Sequence, residues 1–325
     1  MIKKHSLIYL TVMFVHGGAI GQFSAVPMNF LGKEGACADY ITQNFWGSRA
    51  LTEAQKYGDC QSIATYTAKD GPAPWQEWGA KSRPCAAYVH IVMSETIQGS
   101  ELLSDPPATY TGPPIVVDAT STLLSRPINV SAYGLIFASG GKNIPHGVTV
   151  IIVEKEFLRN TQKQAITPAL LDYRSNAGAL EPVASIFESR PNTPPVWPVY
   201  LLGEVLDHIE VGGGLMAQSR RTEHRADRLY KIIDESKGFY INNVHKAARS
   251  KMNVVFNLPT KELEELFISQ AEELELMYVW GHPSQGGLRI TTYNWITDEA
   301  IDLVSSFMVR FMRENNSPSR GESEL

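Results

Sequence analysis

The chain has 325 residues, 43% of them hydrophobic and 19% charged, and carries a formal net charge of −5 at pH 7. This is the composition of a folded chain with room for one large domain or two ordinary ones, and it excludes an intrinsically disordered protein. The mildly acidic balance gives no reason to expect a nucleic-acid partner. N-terminus aside, no stretch approaches the roughly 18 continuous apolar residues that suggest a membrane span.

The first residues fit two patterns. Met1-Ile2-Lys3-Lys4 ahead of an apolar run to Val15 imitates a signal peptide, with a small-residue cleavage pattern at Gly17-Gly18-Ala19. The same run is rich in branched and aromatic types and ends at two glycines, as a buried strand does. Beyond Gly21, the spacing of Phe23, Val26, Phe30 and Leu31 predicts a helix, with Pro27 in its first turns. Cys37, Cys60 and Cys85 are an odd, sparse set with neither metal spacing nor a disulfide framework. Such usage suits a reducing compartment.

Strand-like runs at 8–15, 86–93, 115–117, 134–138 and 148–153 alternate with helical or loop segments. That alternation predicts an α/β layer structure with a largely parallel, buried sheet. A proline-rich loop at 191–198 precedes a helix expected over 199–210 and stopped by Gly212-Gly213-Gly214. The rest reads as a smaller α+β unit. Helices are expected at 216–236, 261–274 and 297–314, the last capped by Thr297, and strands at 251–257 and 287–293. We therefore divide the chain into a large domain, 1–205, a small α+β domain, 206–314, and a polar tail, 315–325, expected to be disordered. No internal repeat is visible.

Three features stand at strand ends, where open α/β sheets bind ligands. Gly17-Gly18-Ala19-Ile20-Gly21 is either a tight structural turn or a phosphate cradle of backbone N–H groups at a helix start. Asp118 directly follows Val116-Val117 and is either a helix cap or a buried site carboxylate. Lys142 follows Phe137-Ala138-Ser139-Gly140-Gly141; alone it reads as a solvated turn lysine. Taken together they meet the needs of pyridoxal phosphate: an amine to join it, a carboxylate for its ring nitrogen, and a cradle for its phosphate. A buried setting would lower the lysine's pKa toward the reactive neutral amine.

Longer segments carry a resemblance. GGAIGQFSAVPMNFLG, CADYITQNFWGSRALTEAQKYG, SETIQG, VVDATSTLLSRPINVSAYGLIFASGGKN, ESRPNTPPVWPVYLLGEVL, IIDESKGFY, RSKMNVVF and GHPSQGGLRITTYN resemble the phosphoserine aminotransferase family. These are class V members of the fold-type I pyridoxal-phosphate enzymes, and the match runs from about residue 12 to 312. The resemblance implies a seven-stranded, mainly parallel sheet sandwiched by helices in the large domain. It makes the N-terminal run a core strand and the protein cytoplasmic. It implies transamination between glutamate and 3-phosphohydroxypyruvate, giving phosphoserine and 2-oxoglutarate in serine biosynthesis.

Position by position, the resemblance makes Lys142 the Schiff-base lysine and proton shuttle, and Asp118 the partner of the pyridine nitrogen. Trp46 would stack on the cofactor face and Thr96 would bond its ring oxygen. The amides of Ala19 and Ile20 would hold its phosphate, and Asn192 and Thr193 would reach that phosphate from the other subunit of a homodimer. Arg289 would bind the substrate carboxylate. No metal is implied. Departures from the family are also visible. Gly141 stands where a cofactor-contacting glutamine is expected, and Gly281-His282-Pro283 replaces Gly-His-Arg, leaving His282 without an arginine for the substrate phosphate. After the lysine, Ile144-Pro145-His146-Gly147 replaces a small-residue turn. The family's segment ahead of the first strand, with a helix and a His-Arg pair lining the substrate pocket, has no counterpart in these residues. The departures keep two alternatives open: a non-catalytic or regulatory paralogue, or transamination of an unphosphorylated keto acid.

Overall fold

Seven strands, the five expected runs and two more, join one sheet in the computed structural model, which describes residues 9–178 and 191–316. In chain order the first part comprises β1 (Leu10–Val15), α1 (Gly18–Phe30), β2 (Cys37–Gln43), α2 (Trp46–Ala54), β3 (Asp59–Tyr66), α3 (Trp75–Lys81) and β4 (Ala86–Val92). A short hairpin, β5 (Ser94–Glu95) and β6 (Ser100–Glu101), is followed by β7 (Ile115–Asp118), β8 (Leu135–Ser139), β9 (Thr149–Glu154), α4 (Lys155–Asn160) and α5 (Tyr173–Asn176). The sheet order is β1-β9-β8-β7-β4-β2-β3. Pairings from β3 through β8 are parallel, and β9 runs antiparallel to both β8 and β1.

Why these segments are strands is visible in which way they face. Leu135 and Phe137 enter one core cluster while Ile136 and Ala138 enter the other, and Ile151 and Val153 alternate with Val150 and Ile152 in the same way. A strand covered on both faces reads as a continuous apolar run, because both sets of alternate residues are buried. The signal-like N-terminal run is likewise a strand, with Met13 fully buried. Residue 8, expected to open it, lies outside the described residues.

Two expectations are corrected. α1 begins at Gly18, not after Gly21, so Pro27 is the tenth of its 13 residues rather than part of its first turns. Proline there leaves the Phe23 carbonyl without its helical donor, yet the helix runs on, and Leu31 N–H closes it on the Pro27 carbonyl at 3.0 Å. The cysteines are also not all free. Cys37 and Cys85 form a disulfide with Cα atoms 5.3 Å apart, and only Cys60 is free and buried. The cause is non-local. The parallel pairing of β2 with β4 sets Cys37 opposite Ala86, and the Cys37 N–H donates to the Cys85 carbonyl at 3.0 Å. Cysteine usage therefore no longer argues for a reducing compartment.

The second part comprises α6 (Val196–Val211), α7 (Gly214–Glu235), β10 (Asn253–Phe256), α8 (Lys261–Glu272), β11 (Leu288–Thr291) and α9 (Asp298–Asn315). α6 starts three residues earlier than expected, inside the proline-rich loop. Pro198 falls in its first turn, where a missing N–H costs no helical bond. β10 and β11 pair antiparallel, and Leu229, Phe256, Phe267, Phe307 and Phe311 pack a core of their own. Thr297 caps α9 as expected, its hydroxyl accepting from Ala300 N–H at 3.2 Å. Of the expected tail, 317–325 lies outside the described residues. Among the described residues no helix is long and apolar enough to cross a membrane.

The two parts meet through apolar residues of α6, Val199 and Leu202, packed into a core cluster of the sheet, and through polar links. Glu101 accepts from Ser250 Oγ at 3.1 Å and Lys251 N–H at 2.8 Å, and Asn143 Oδ1 accepts from Asn294 N–H at 3.0 Å.

Candidate active site

The strand directions decide where the site lies. β7 and β8 run parallel, and β1, antiparallel to β9, shares the direction of β8. All three therefore release their chains at the same sheet edge, the place where ligands bind in open α/β sheets. A cavity of about 440 Å³ opens there, walled by Gly17–Ile20, Trp46, Asp118, Gly141, Lys142 and His146 among others.

One wall is the start of α1. Gly17 and Gly18 take φ of 102° and 61°, which turns the chain from strand into helix, and a Cβ on Gly18 would lie 3.2 Å from Ser139 Oγ. Gly18 N–H is held by Thr149 Oγ1 at 2.9 Å. The amides of Ala19 and Ile20 belong to the first turn of a 13-residue helix, where the backbone supplies no acceptors and the dipole favours an anion.

Asp118 closes β7 and is 5% exposed. Burial pushes its carboxyl above the ordinary range, while Thr120, whose N–H donates to Oδ1 at 2.9 Å, and the Lys142 charge pull it back. Burial holds the Lys142 amine below its usual value; the Asp118 carboxylate opposes this and the Arg289 charge adds to it. The half-buried lysine and the buried carboxylate thus act on one another across the same cavity.

Trp46 is the first residue of α2. Its indole N–H donates to Thr96 Oγ1 at 3.2 Å. Glu95, fully buried, accepts from Trp46 N–H at 3.1 Å and Gly47 N–H at 2.9 Å, so one carboxylate fixes the start of α2 and with it the indole. Burial lifts Glu95 to about 7 despite those bonds. The sequence reading passed over Glu95 although Thr96 beside it was singled out; its role depends on a hairpin and a helix start that no local pattern announces.

The remaining expected residues are spread outward. Arg289 on β11 donates to the Thr96 carbonyl at 3.3 Å, and its buried Nε has no hydrogen-bond partner among the described residues. That leaves a donor for an incoming carboxylate. His282 is half-exposed and does not line the cavity; it is paired with Ser284 Oγ at 2.7 Å and lies 5.6 Å from the ring of Phe45, the residue before Trp46. Asn192 and Thr193 are exposed and do not line the cavity of their own chain. The Thr193 carbonyl is hydrogen-bonded by His16 Nε2 at 3.0 Å and by Asn192 Nδ2 at 3.3 Å. The structure thus gathers Ala19, Ile20, Trp46, Asp118, Gly141 and Lys142 on one cavity. Thr96 and Arg289 stand a layer behind it, His282 beside Phe45 next to its Trp46 wall, and Asn192 and Thr193 outside it. An amine, a buried carboxylate, a flat indole and an anion cradle around one cavity fit pyridoxal phosphate.

The model of the family described as aminotransferase class-V matches residues 9–304. The phosphoserine aminotransferase of Laribacter hongkongensis is 40% identical over 308 residues, spanning 94% of this chain and 81% of that relative. The phosphoserine aminotransferase structure from Bacillus circulans subsp. alkalophilus aligns with a TM-score of 0.81 at 33% identity, covering 94% of this chain and 81% of that one. The pyridoxal-phosphate-bound phosphoserine aminotransferase of Trichomonas vaginalis aligns with a TM-score of 0.81 at 29% identity, covering 95% and 83%.

Proposed function

The chain belongs to the class-V aminotransferase family, and we propose that it is a phosphoserine transaminase. It would use pyridoxal phosphate to pass the amino group of glutamate to 3-phosphohydroxypyruvate, yielding 2-oxoglutarate and phosphoserine for serine biosynthesis. The observation that carries the proposal is the cavity that Lys142 and Asp118 share with the α1 cradle.

Bound there, pyridoxal phosphate supplies an electron sink that acidifies the Cα–H bond of the amino acid. The chain's own residues do the rest. Lys142 removes the Cα proton and returns it on the other side of the exchange, which its lowered pKa suits because the neutral amine is the base. Asp118 keeps a proton on the ring nitrogen. Thr120 fixes the Asp118 carboxylate, and a cationic ring beside it would bring its pKa down again. Trp46 covers one ring face and excludes water. Ala19 and Ile20 donate their amides to the cofactor phosphate. Arg289 takes the substrate carboxylate, and His282 meets the substrate's distal anionic group.

We further propose a homodimer in which Asn192 and Thr193 of each chain complete the cofactor phosphate site of the other. Beside them Val196, Trp197 and Tyr200 are 66%, 66% and 55% exposed, an apolar face suited to burial against a second copy. We place the enzyme in the cytoplasm, with its small free substrates.

Incubating the chain with pyridoxal phosphate, glutamate and 3-phosphohydroxypyruvate tests the activity; both products are expected in equal amounts. A second reading, transfer to an unphosphorylated keto acid, is favoured by Pro283, which leaves no lysine or arginine beside His282 in its loop. Turnover with pyruvate or glyoxylate and none with 3-phosphohydroxypyruvate would select it.

A further inference from the structure

Resting on the cofactor reading above, we propose that His146 is a cofactor-binding residue of this chain: its imidazole donates a hydrogen bond to the cofactor phosphate, serving the position that Gly141 leaves bare.

The loop after β8 is folded tightly enough to place the ring. Gly140 N–H donates to the Val148 carbonyl at 2.8 Å, and Gly141 N–H to the Ile144 carbonyl at 2.9 Å. A Cβ on Gly140 would overlap the Pro145 carbonyl, so the two limbs of the loop touch. This closure brings His146 over Gly141. A Cβ at Gly141 would lie only 3.5 Å from His146 Nδ1, and Gly141 has φ of 108°, a backbone that a larger residue takes only with strain. The imidazole therefore lies in van der Waals contact with the place where a side chain from position 141 would begin.

The ring also stands on the right wall. It shares the cavity with the α1 cradle, and Ser139, within van der Waals reach of Gly18, links that cradle to the loop two residues before Gly141. A phosphate monoester carries close to two negative charges. Against it the cradle sets neutral backbone, and the charged side chains of this wall, Lys142 and Asp118, oppose each other. His146 is the further group there able to donate an N–H or carry a positive charge. It is also uncommitted. The His282 ring is bonded to Ser284 and the His16 ring to the Thr193 carbonyl, whereas the exposed His146 ring has no hydrogen-bond partner among the described residues.

The experiment titrates cofactor-free wild type, His146→Ala and His146→Gln with pyridoxal phosphate and, separately, with pyridoxal, following the cofactor's visible absorbance. His146→Ala should weaken pyridoxal phosphate about tenfold and leave pyridoxal within about twofold of wild type, with His146→Gln recovering part of the loss. Equal losses for both ligands, or none for either, would overturn the role of His146 while leaving the cofactor reading intact. Wild type that binds neither ligand would remove the cofactor reading, and this inference with it.

Discussion

On the inner wall of the cavity Asp118 is 5% exposed, and Glu95, bonded to the backbone of the wall residue Trp46, is 0% exposed; each is tied to backbone N–H groups where an element ends or begins. Near the mouth, Gly141 and His146 are exposed, His282 is half-exposed, and all three lie on loops. The inner wall owes its properties to burial, which lowers Lys142 and raises Asp118 and Glu95; Lys142 and Asp118 limit each other's shifts, while Asp118 adds to that of Glu95. The mouth owes its properties to whichever side chains its loops present. Gly141 and Pro283 are loop residues, whereas Asp118 and Glu95 stand in strands. Loops tolerate replacement because few packing contacts depend on them. In the proposed site the reacting end would thus rest on packed elements and the recognition end on loops.

If that contrast is sound, inner-wall substitutions cost rate and mouth substitutions cost affinity. Lys142→Ala should lower transamination by about 10⁴-fold or more, since it removes both the group joined to the cofactor and the base. Thermal melting of the apoprotein should be unchanged or higher, because a buried amine is lost. Asp118→Asn should slow turnover by about 10²–10³-fold with KM nearly constant, read from steady-state kinetics. A rise in KM instead would move Asp118 to the mouth's account.

The next test lies just behind the inner wall, in β4. His90 is buried among Phe23, Tyr40 and Phe137, neither ring nitrogen has a partner among the described residues, and burial pushes it down to about 3. An unfolded histidine takes its proton near 6.5, so this contribution to stability is complete above that pH. It falls away as pH drops toward 3, by at most about 1.4 kcal/mol per unit. His90→Leu should flatten that limb by about 2 kcal/mol between pH 6.5 and 5, measured by urea unfolding. The smallest effect belongs to the mouth. His282→Ala should raise KM for 3-phosphohydroxypyruvate by about three- to tenfold and leave kcat alone, because a half-exposed contact is worth about 1 kcal/mol.

Most of the inner wall was legible in the sequence. Asp118 and Lys142 stand where apolar runs stop, and a doubly covered strand announces its end by losing its apolar residues. β2 and β3 were missed for different reasons: β3 is exposed at half its positions, which blurs both periodicities, and β2, although buried, carries the polar Asp39 and Gln43, which break its apolar run. With them went the β2–β4 adjacency, hence the Cys37–Cys85 disulfide, which no spacing along the chain could reveal. Pro27 misled because tertiary packing holds a helix that local rules would break. The closeness of His146 to Gly141 depends on a loop's return path, and in the sequence that segment was only a departure from pattern.

The most direct measurement exposes the cofactor-loaded protein to glutamate and to phosphoserine in separate cuvettes and follows the cofactor's visible absorbance. We predict that both amino acids convert it in the wild type and that neither does in Lys142→Ala. Conversion by glutamate with no response to phosphoserine at any concentration would contradict the account.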